Sequence, residues 1–247
     1  MEGEKTIITT LRSTINLYKF SFKICFFLSL FLAVLTEYFR IYAETSGVYY
    51  TLKEYLKKGD ISGNFPYDPL LAMLSILSII ISVIVYGSLL CLGEIQFKKQ
   101  NTIVTRVDTC TALYVFKNRF WSFSGGFFIS IILSGFASFL GIVGVWLNNS
   151  FTYIIFPMIL SNNVGVLEAY KKTFVIMVKS TLYTIKIGFI VGMLSIIKYL
   201  IFYIFFPIRN NDIFFGIQHA IIVFTEALML PFLIMLMVSV YNHLQKQ

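Results

Sequence analysis

Between Phe120 and Leu167 the chain runs for 48 residues without a single Asp, Glu, Lys or Arg. A water-soluble domain does not sustain such a stretch, because a surface that faces water needs polar and charged side chains. About 20 apolar residues in a helix cross a hydrocarbon core about 30 Å thick, so this stretch has room for two passes. The feature predicts an integral membrane protein that crosses the bilayer several times.

The composition agrees with this prediction. The chain is 57% hydrophobic and 13% charged, and its mean hydropathy of +0.80 lies outside the range of soluble proteins. At 247 residues, it can supply roughly six spans and little else. We therefore expect an all-α, polytopic integral membrane protein that forms a single membrane domain. The net charge of +8 does not indicate nucleic acid, because the basic residues are spread among hydrophobic segments.

Six apolar segments are predicted to span the bilayer as helices. They cover about residues 20–39, 69–93, 120–140, 145–161, 181–206 and 214–240. Pro69 suits the first turn of the second helix. Gly141, Gly144 and residues 148–150 are candidate turns between the third and fourth spans. No small-x-small cleavage site precedes Glu37, so the first segment is expected to remain as a span.

The distribution of basic residues orients the predicted bundle. Of the 20 Lys and Arg, 13 fall on the side of the termini and five on the opposite side. Lys186 and Lys198 lie within the fifth span, near its two ends, where their long stems let the ammonium groups reach the interfaces. By the positive-inside rule, both termini are predicted to be cytoplasmic.

Two basic cytoplasmic segments are predicted to form amphipathic elbow helices. The apolar stripe of the first, with Asn101 as its N-cap, consists of Ile103, Val107, Cys110 and Tyr114. The stripe of the second, which also holds a Glu168–Lys172 pair, consists of Val164, Leu167, Phe174 and Val178. On the opposite side, the loop from Arg40 to Asp68 is expected to hold one short helix near residues 48–58.

Small residues recur at helical spacing in two predicted spans. In the third span they are Ser122, Gly126, Ser130, Ser134 and Ser138, and in the second they are Ser75, Ser78 and Ser82. Such a face lets a neighbouring backbone approach closely and offers hydroxyls to it. Helix packing is the favoured interpretation. The alternative is a polar-lined substrate path.

Glu226 is the main candidate for a functional side chain. It lies near the middle of the sixth span, where an isolated charge costs roughly 2.5–3.5 kcal/mol, so it must be protonated, paired or in a cavity. His219 lies seven residues earlier on the same helical face, and Pro231 follows where it would kink the helix. A Glu/His face beside a kink is typical of a proton-linked transporter. The favoured alternative is a protonated Glu226 bonded to a hydroxyl, or one paired with Lys198.

No cofactor, metal or catalytic site is predicted. The three cysteines, Cys25, Cys91 and Cys110, form no CxxC or Cys/His cluster and are expected to be small buried hydrophobes. No phosphate-binding glycine loop, serine triad or pair of catalytic carboxylates is present. Glu37 and Glu94 lie at span ends and are given no special role.

The segment from Pro157 to Thr173 has a recurrent layout. A proline ends a span, a short loop reaches Gly165, and a helix follows with Ala169, Lys171, Lys172 and a hydroxyl. The segment resembles the YciC-like family of uncharacterised bacterial inner-membrane proteins. It resembles more distantly the membrane domain of some glycerophosphodiester phosphodiesterases. The resemblance is best over residues 120–247. It implies a multi-pass protein of the bacterial inner membrane, with no settled activity and no catalytic residues to carry over.

The expected function is that of a non-enzymatic inner-membrane protein of unknown molecular activity. Its expected partners are the lipid bilayer and either another membrane protein or a second copy of the chain. The alternative is a small transporter or export accessory that uses the face of Glu226 and His219. A membrane-embedded lipid enzyme ranks last, because no reactive group has an evident partner.

Overall fold

A computed structural model describes residues 2–47, 68–99, 103–205 and 212–245. In this part of the chain the protein is all-α and has seven helices. They are α1 (Glu2–Thr45), α2 (Pro69–Lys98), α3 (Arg106–Phe139), α4 (Gly141–Asn162), α5 (Val166–Lys179), α6 (Thr181–Phe205) and α7 (Asp212–Leu244). By length and composition, four of the described helices can cross a membrane, or five if α5 and the start of α6 form one bent span. The chain is thus compatible with a multi-pass membrane protein.

Each of the six predicted segments lies largely within a helix, and the helix that holds the first segment is longer than the predicted span. We expected a span from about residue 20, whereas α1 begins at Glu2. The early part of the helix is held by a stripe that includes Thr10, Thr14 and Leu17, all fully buried. Thr10 also shares a hydrogen bond of 2.9 Å with the Tyr183 hydroxyl of α6. α1 therefore extends toward its N-terminus beyond the apolar run, because the polar residues of this stripe pack and bond inside the bundle.

The second helix begins as expected. Pro69 occupies the first turn of α2, and Asp68 is the N-cap, whose carboxylate accepts from the backbone N–H groups of Leu70 and Leu71 at 2.9 and 3.2 Å. Tyr42 of α1 donates to the other carboxylate oxygen of Asp68 at 3.1 Å. This hydrogen bond fixes the end of α1 to the start of α2.

The turn between α3 and α4 is tighter than we expected. Leu140 separates the two helices, and Gly141 has a φ of +63°, which favours glycine. Gly144 allows close approach of the two helices, since a Cβ there would lie 2.1 Å from the Ala137 carbonyl oxygen. Residues 148–150, a predicted turn, instead lie within α4. Their polar side chains are accommodated in the bundle, so they do not break the helix.

We expect Gly144→Ala to lower the free energy of unfolding by about 1–3 kcal/mol, because the added methyl group must push the α3–α4 hairpin apart. Denaturant unfolding in mild detergent measures this change. Gly192→Ala in α6 is the matched control, because a Cβ there meets nothing within 4 Å. Equal stability of the two variants would contradict the close approach.

The predicted first elbow is not separated from the span that follows it. Residues 106–139 form one continuous helix, α3, which starts with a capping box. Thr105 donates to the Asp108 carboxylate through its backbone N–H at 2.9 Å and its hydroxyl at 2.8 Å. Lys99 pairs with the same carboxylate. Asn101, the predicted N-cap, and residues 48–58 lie outside the described residues.

The predicted second elbow is a separate helix. α5 forms an angle of 104° with the first part of α6, and Gly165 is its N-cap. The predicted Glu168–Lys172 ion pair is present at 2.7 Å.

Pro157 does not end the preceding helix as expected, because α4 continues through it to Asn162. The break comes at Asn163, which is in the left-handed conformation.

The bundle is organised around α1 and α7, which pack against each other more extensively than any other described pair. The core is densest toward one end of the bundle. Its fully buried side chains include Leu89 and Leu90 of α2, Ile154 and Ile159 of α4, and Ile234 of α7. α7 continues through Pro231 as a helix. The Tyr18 hydroxyl of α1 donates to the Leu228 carbonyl at 3.2 Å. This carbonyl lies in the helical turn in which Pro231 supplies no backbone N–H group.

Candidate functional site

An ionic cluster joins the end of α1 to the start of α7. Arg40 lies three residues after Glu37 and four before Glu44, so all three side chains meet on one face of α1. The guanidinium donates to both oxygens of Glu37, at 2.9 and 2.6 Å, and to Glu44 at 2.9 Å. Only 6% of Glu37 is exposed. A buried carboxylate is stable here because Arg40 binds it in a two-pronged, charge-assisted geometry.

His219 brings α7 into this cluster. Its Nδ1 atom contacts a carboxylate oxygen of Glu37 and lies 3.0 Å from the Arg40 Nη2 atom. One ring nitrogen cannot donate to the carboxylate and accept from the guanidinium at the same time. With a proton on Nδ1 the histidine donates to Glu37, and without it the histidine accepts from Arg40. The Nδ1 atom therefore has a hydrogen-bond partner both with and without its proton.

Glu226 lines a cavity next to the ionic cluster, which we call the Glu226 cavity. The cavity has a volume of about 320 Å³ and lies between α1, α2 and α7. Its polar lining consists of Ser29, Thr36, Ser82, Tyr86 and Glu226. Glu226 interacts electrostatically with Arg40, and Thr36 of the cavity wall directly precedes Glu37, so the cavity and the ionic cluster are neighbours.

The polar side chains in the wall of this cavity differ in what they can offer to a bound molecule. The side chain of Ser29 is fully buried, and its hydroxyl has no hydrogen-bond partner among the described residues. Thr36 and Ser82 instead donate to carbonyls of their own helices, at 2.6 and 2.8 Å. Thr36, Ser82, Tyr86 and Glu226 are therefore the polar side chains that the cavity can offer to water. The cavity is thus large and polar enough to hold water or a small solute.

A second cavity of about 280 Å³ adjoins the first, and we call it the Asn148 cavity. Its polar side chains include Ser130 and Ser134 of α3 and Asn148 and Asn149 of α4. Tyr86 and Leu233 line both cavities. We interpret these two side chains as the partition between the cavities.

Two of the predicted site residues lie in this region. His219 and Glu226 both face α1, the first in the ionic cluster and the second in the cavity. The structure places Lys198 in α6 but does not describe its side chain, so its pairing with Glu226 stays a prediction.

The small residues of the third predicted span have two different roles. Gly126 packs against Ile159, whereas Ser134 lines the Asn148 cavity.

Sequence reasoning missed Glu37 and Arg40. We expected Glu37 to lie at a span end without a special role, but it is buried in the ionic cluster. The spacing Glu37-x-x-Arg40-x-x-x-Glu44 is a signal in the sequence, because it places opposite charges on one helix face. Nothing in the sequence indicated that His219, 182 residues after Glu37, would complete the cluster.

Glu94, also expected to lie at a span end, is 6% exposed and accepts a hydrogen bond of 3.1 Å from Asn242 of α7. One expectation for the cysteines is wrong. Cys25 and Cys91 are buried as expected, but Cys110 is exposed. Cys110 belongs to the exposed apolar stripe of Val107 and Tyr114, which no other described helix covers.

Among the described residues, no group of three or more His, Cys, Asp and Glu side chains could hold a metal ion.

These features define a class of protein: a helical bundle with several helices apolar enough to span a membrane, and with a buried ionic cluster beside a polar cavity. Comparison with protein-family models, curated proteins and solved structures finds no match to the chain. The resemblance to the YciC-like family therefore stays a prediction.

Proposed function

We propose that the protein is a small transporter of the bacterial inner membrane, which moves protons, alone or with a small cationic solute, through the Glu226 cavity. The observation that carries this proposal is a glutamate that lines a cavity together with the polar side chains of Thr36, Ser82 and Tyr86, in a bundle that is otherwise apolar. Ionisable groups at such depth are costly and are typically found on ion and proton pathways. This favours the transporter over the partner-binding role, which stays a prediction.

The charges around the cavity favour a positively charged solute. Among the described residues, the guanidinium of Arg40 interacts with three carboxylates, those of Glu37, Glu44 and Glu226. His219 adds a positive charge only when both of its ring nitrogens carry protons. In a medium of low dielectric constant this excess of negative charge attracts a cation and repels an anion.

His219 provides a way to couple proton transfer to a change in the cluster. Gain of a proton at Nδ1 favours its bond to Glu37, and loss of the proton favours its bond to Arg40. The gained or lost proton changes the net charge of the ionic cluster, which interacts electrostatically with Glu226. We expect the affinity of the cavity for a cation to depend on the protonation of His219 for this reason.

The proposal includes six spans, with both termini in the cytoplasm and basic elbow segments at the inner surface. At 1.5 Å per residue, the 22 residues of α4 extend about 33 Å, enough to cross the hydrocarbon core. α6 is longer still, with 25 residues. The proposal adds α4 and α6 to the four helices that are long and apolar enough to cross a membrane.

Cysteine labelling tests whether the cavity admits water and cations. We expect Ser82→Cys, in a background without the native cysteines, to react with a cationic, membrane-impermeant thiol reagent. Ile80→Cys, two residues away on the exposed apolar face of α2, is the matched control and is expected to stay unmodified because acyl chains cover it. Protection of both cysteines would contradict a water-filled cavity.

The same assay tests the sign of the charge. The ratio of the reaction rates of Ser82→Cys with cationic and anionic reagents is expected to fall about tenfold when Glu226→Gln is added, because an ion pair at low dielectric constant contributes on the order of 1–2 kcal/mol. An unchanged ratio would contradict the role of Glu226 in cation selection.

A further inference from the structure

The exposed surface of α5 is both apolar and basic. Leu167, Phe174 and Val178 are exposed although they are apolar, and Lys171 and Lys172 lie beside them. α5 is bent by 104° from the first part of α6. Because α6 is proposed to cross the bilayer, a helix at this angle to it runs along the membrane surface. An apolar face with flanking lysines is the composition of helices that lie in that interface.

A pocket opens beside α5, and we call it the lysine pocket. It has a volume of about 320 Å³ and lies between α5, the end of α4 and the end of α7. Lys171 and Lys172 line it together with the side-chain amides of Asn162 and Gln245. Its apolar wall consists of Met158, Val175 and Ile176. The pocket therefore combines cationic and amide groups with an apolar surface.

The positive charge of the lysine pocket is not fully neutralised. Lys172 pairs with Glu168 at 2.7 Å, but both side chains are about half exposed, and such a pair is weak. Lys171 forms no ion pair with any acidic side chain in the described part of the chain. Both ammonium groups are thus available to an anion.

We propose that the lysine pocket binds the headgroup of an anionic phospholipid. Lys171 and Lys172 contact the phosphate, and the wall of Met158, Val175 and Ile176 contacts the glycerol and the first methylene groups. A phospholipid fits better than a free phosphate ion, because the phosphate alone leaves the apolar wall exposed to water. This site is on different helices from the Glu226 cavity apart from α7, and it does not depend on the proposed transport.

Lipid binding to the purified full chain tests the proposal. In mild detergent, we expect native mass spectrometry to show retention of short-chain phosphatidylglycerol in preference to phosphatidylcholine. The double variant Lys171→Gln/Lys172→Gln is expected to bind phosphatidylglycerol about 10–30-fold more weakly, since each basic residue near the surface contributes about 1 kcal/mol. Equal retention of the two lipids by the wild type would overturn the proposal.

Three controls make the result specific. Lys179→Gln removes a lysine of the same helix that does not line the pocket, and a loss as large as that of the double variant would overturn the proposal. Val175→Trp fills the pocket but keeps both lysines, and it is expected to weaken phosphatidylglycerol binding even if the double variant does not fold. Inorganic phosphate is expected not to displace the lipid. Displacement at equal concentration would mean that the pocket binds a free anion instead.

Discussion

Replacing Arg40 by leucine is expected to lower the free energy of unfolding by about 3 kcal/mol, the largest loss that we expect from removal of one charged side chain. The variant leaves the carboxylate of Glu37 buried without its guanidinium and removes the contacts of Arg40 with Glu44 and His219. We use the lower end of the usual range because 29% of the Arg40 side chain is exposed. Unfolding by SDS in mixed micelles, followed by circular dichroism, measures the change.

Two further variants separate the ion pair from other effects. Arg12→Leu removes an exposed arginine of α1 and is expected to change the free energy by no more than about 0.5 kcal/mol. The double variant Glu37→Leu/Arg40→Leu is expected to be more stable than Arg40→Leu alone, because it leaves no uncompensated carboxylate at position 37. If Arg40→Leu costs no more than Arg12→Leu, the ionic cluster does not hold α1 and α7 together.

Replacing Glu226 by glutamine is expected to reduce proton flux by at least about tenfold, which corresponds to a rise of about 1.4 kcal/mol or more in the barrier to proton transfer. Glutamine has nearly the same shape but cannot exchange a proton with water in the cavity. The measurement is voltage-driven proton uptake into lipid vesicles that contain the protein, read with an internal pH-sensitive dye.

The matched control is Glu168→Gln, which removes an exposed glutamate of α5 that lies outside both cavities. Its flux is expected to equal that of the wild type. Glu226→Leu is expected to lose the flux as glutamine does. A Glu226→Leu protein that keeps both its stability and the wild-type flux would contradict the proposed function.

The sequence predicts the helices well where a local signal marks them. Pro69 marks the start of α2, and a long charge-free run with Gly141 in it defines the α3–α4 hairpin. The start of α1 has no such signal, because Thr10 and Thr14 are polar residues that become buried only once α1 packs in the bundle. Hydropathy reports the apolar part of a helix and not its whole length.

The candidate site was predictable only in part, for the same reason. Glu226 stands out because it is a charge in an apolar helix, and helical spacing places His219 on the same face. The partners of His219 are Glu37 and Arg40, and only the packing of α1 against α7 brings them close. The cavities have no signal in the sequence, since their shape depends on three or more helices at once.

A structure determined in lipid nanodiscs is the most direct test of the central claim, that water and cations reach Glu226 inside a membrane-spanning bundle. We predict ordered water or a bound cation in the Glu226 cavity within hydrogen-bond distance of Glu226. Acyl chains are predicted on the exposed side chains of Phe27, Phe31 and Ile80. A dry, collapsed cavity, or acyl chains in contact with the Glu226 carboxylate, would contradict the claim.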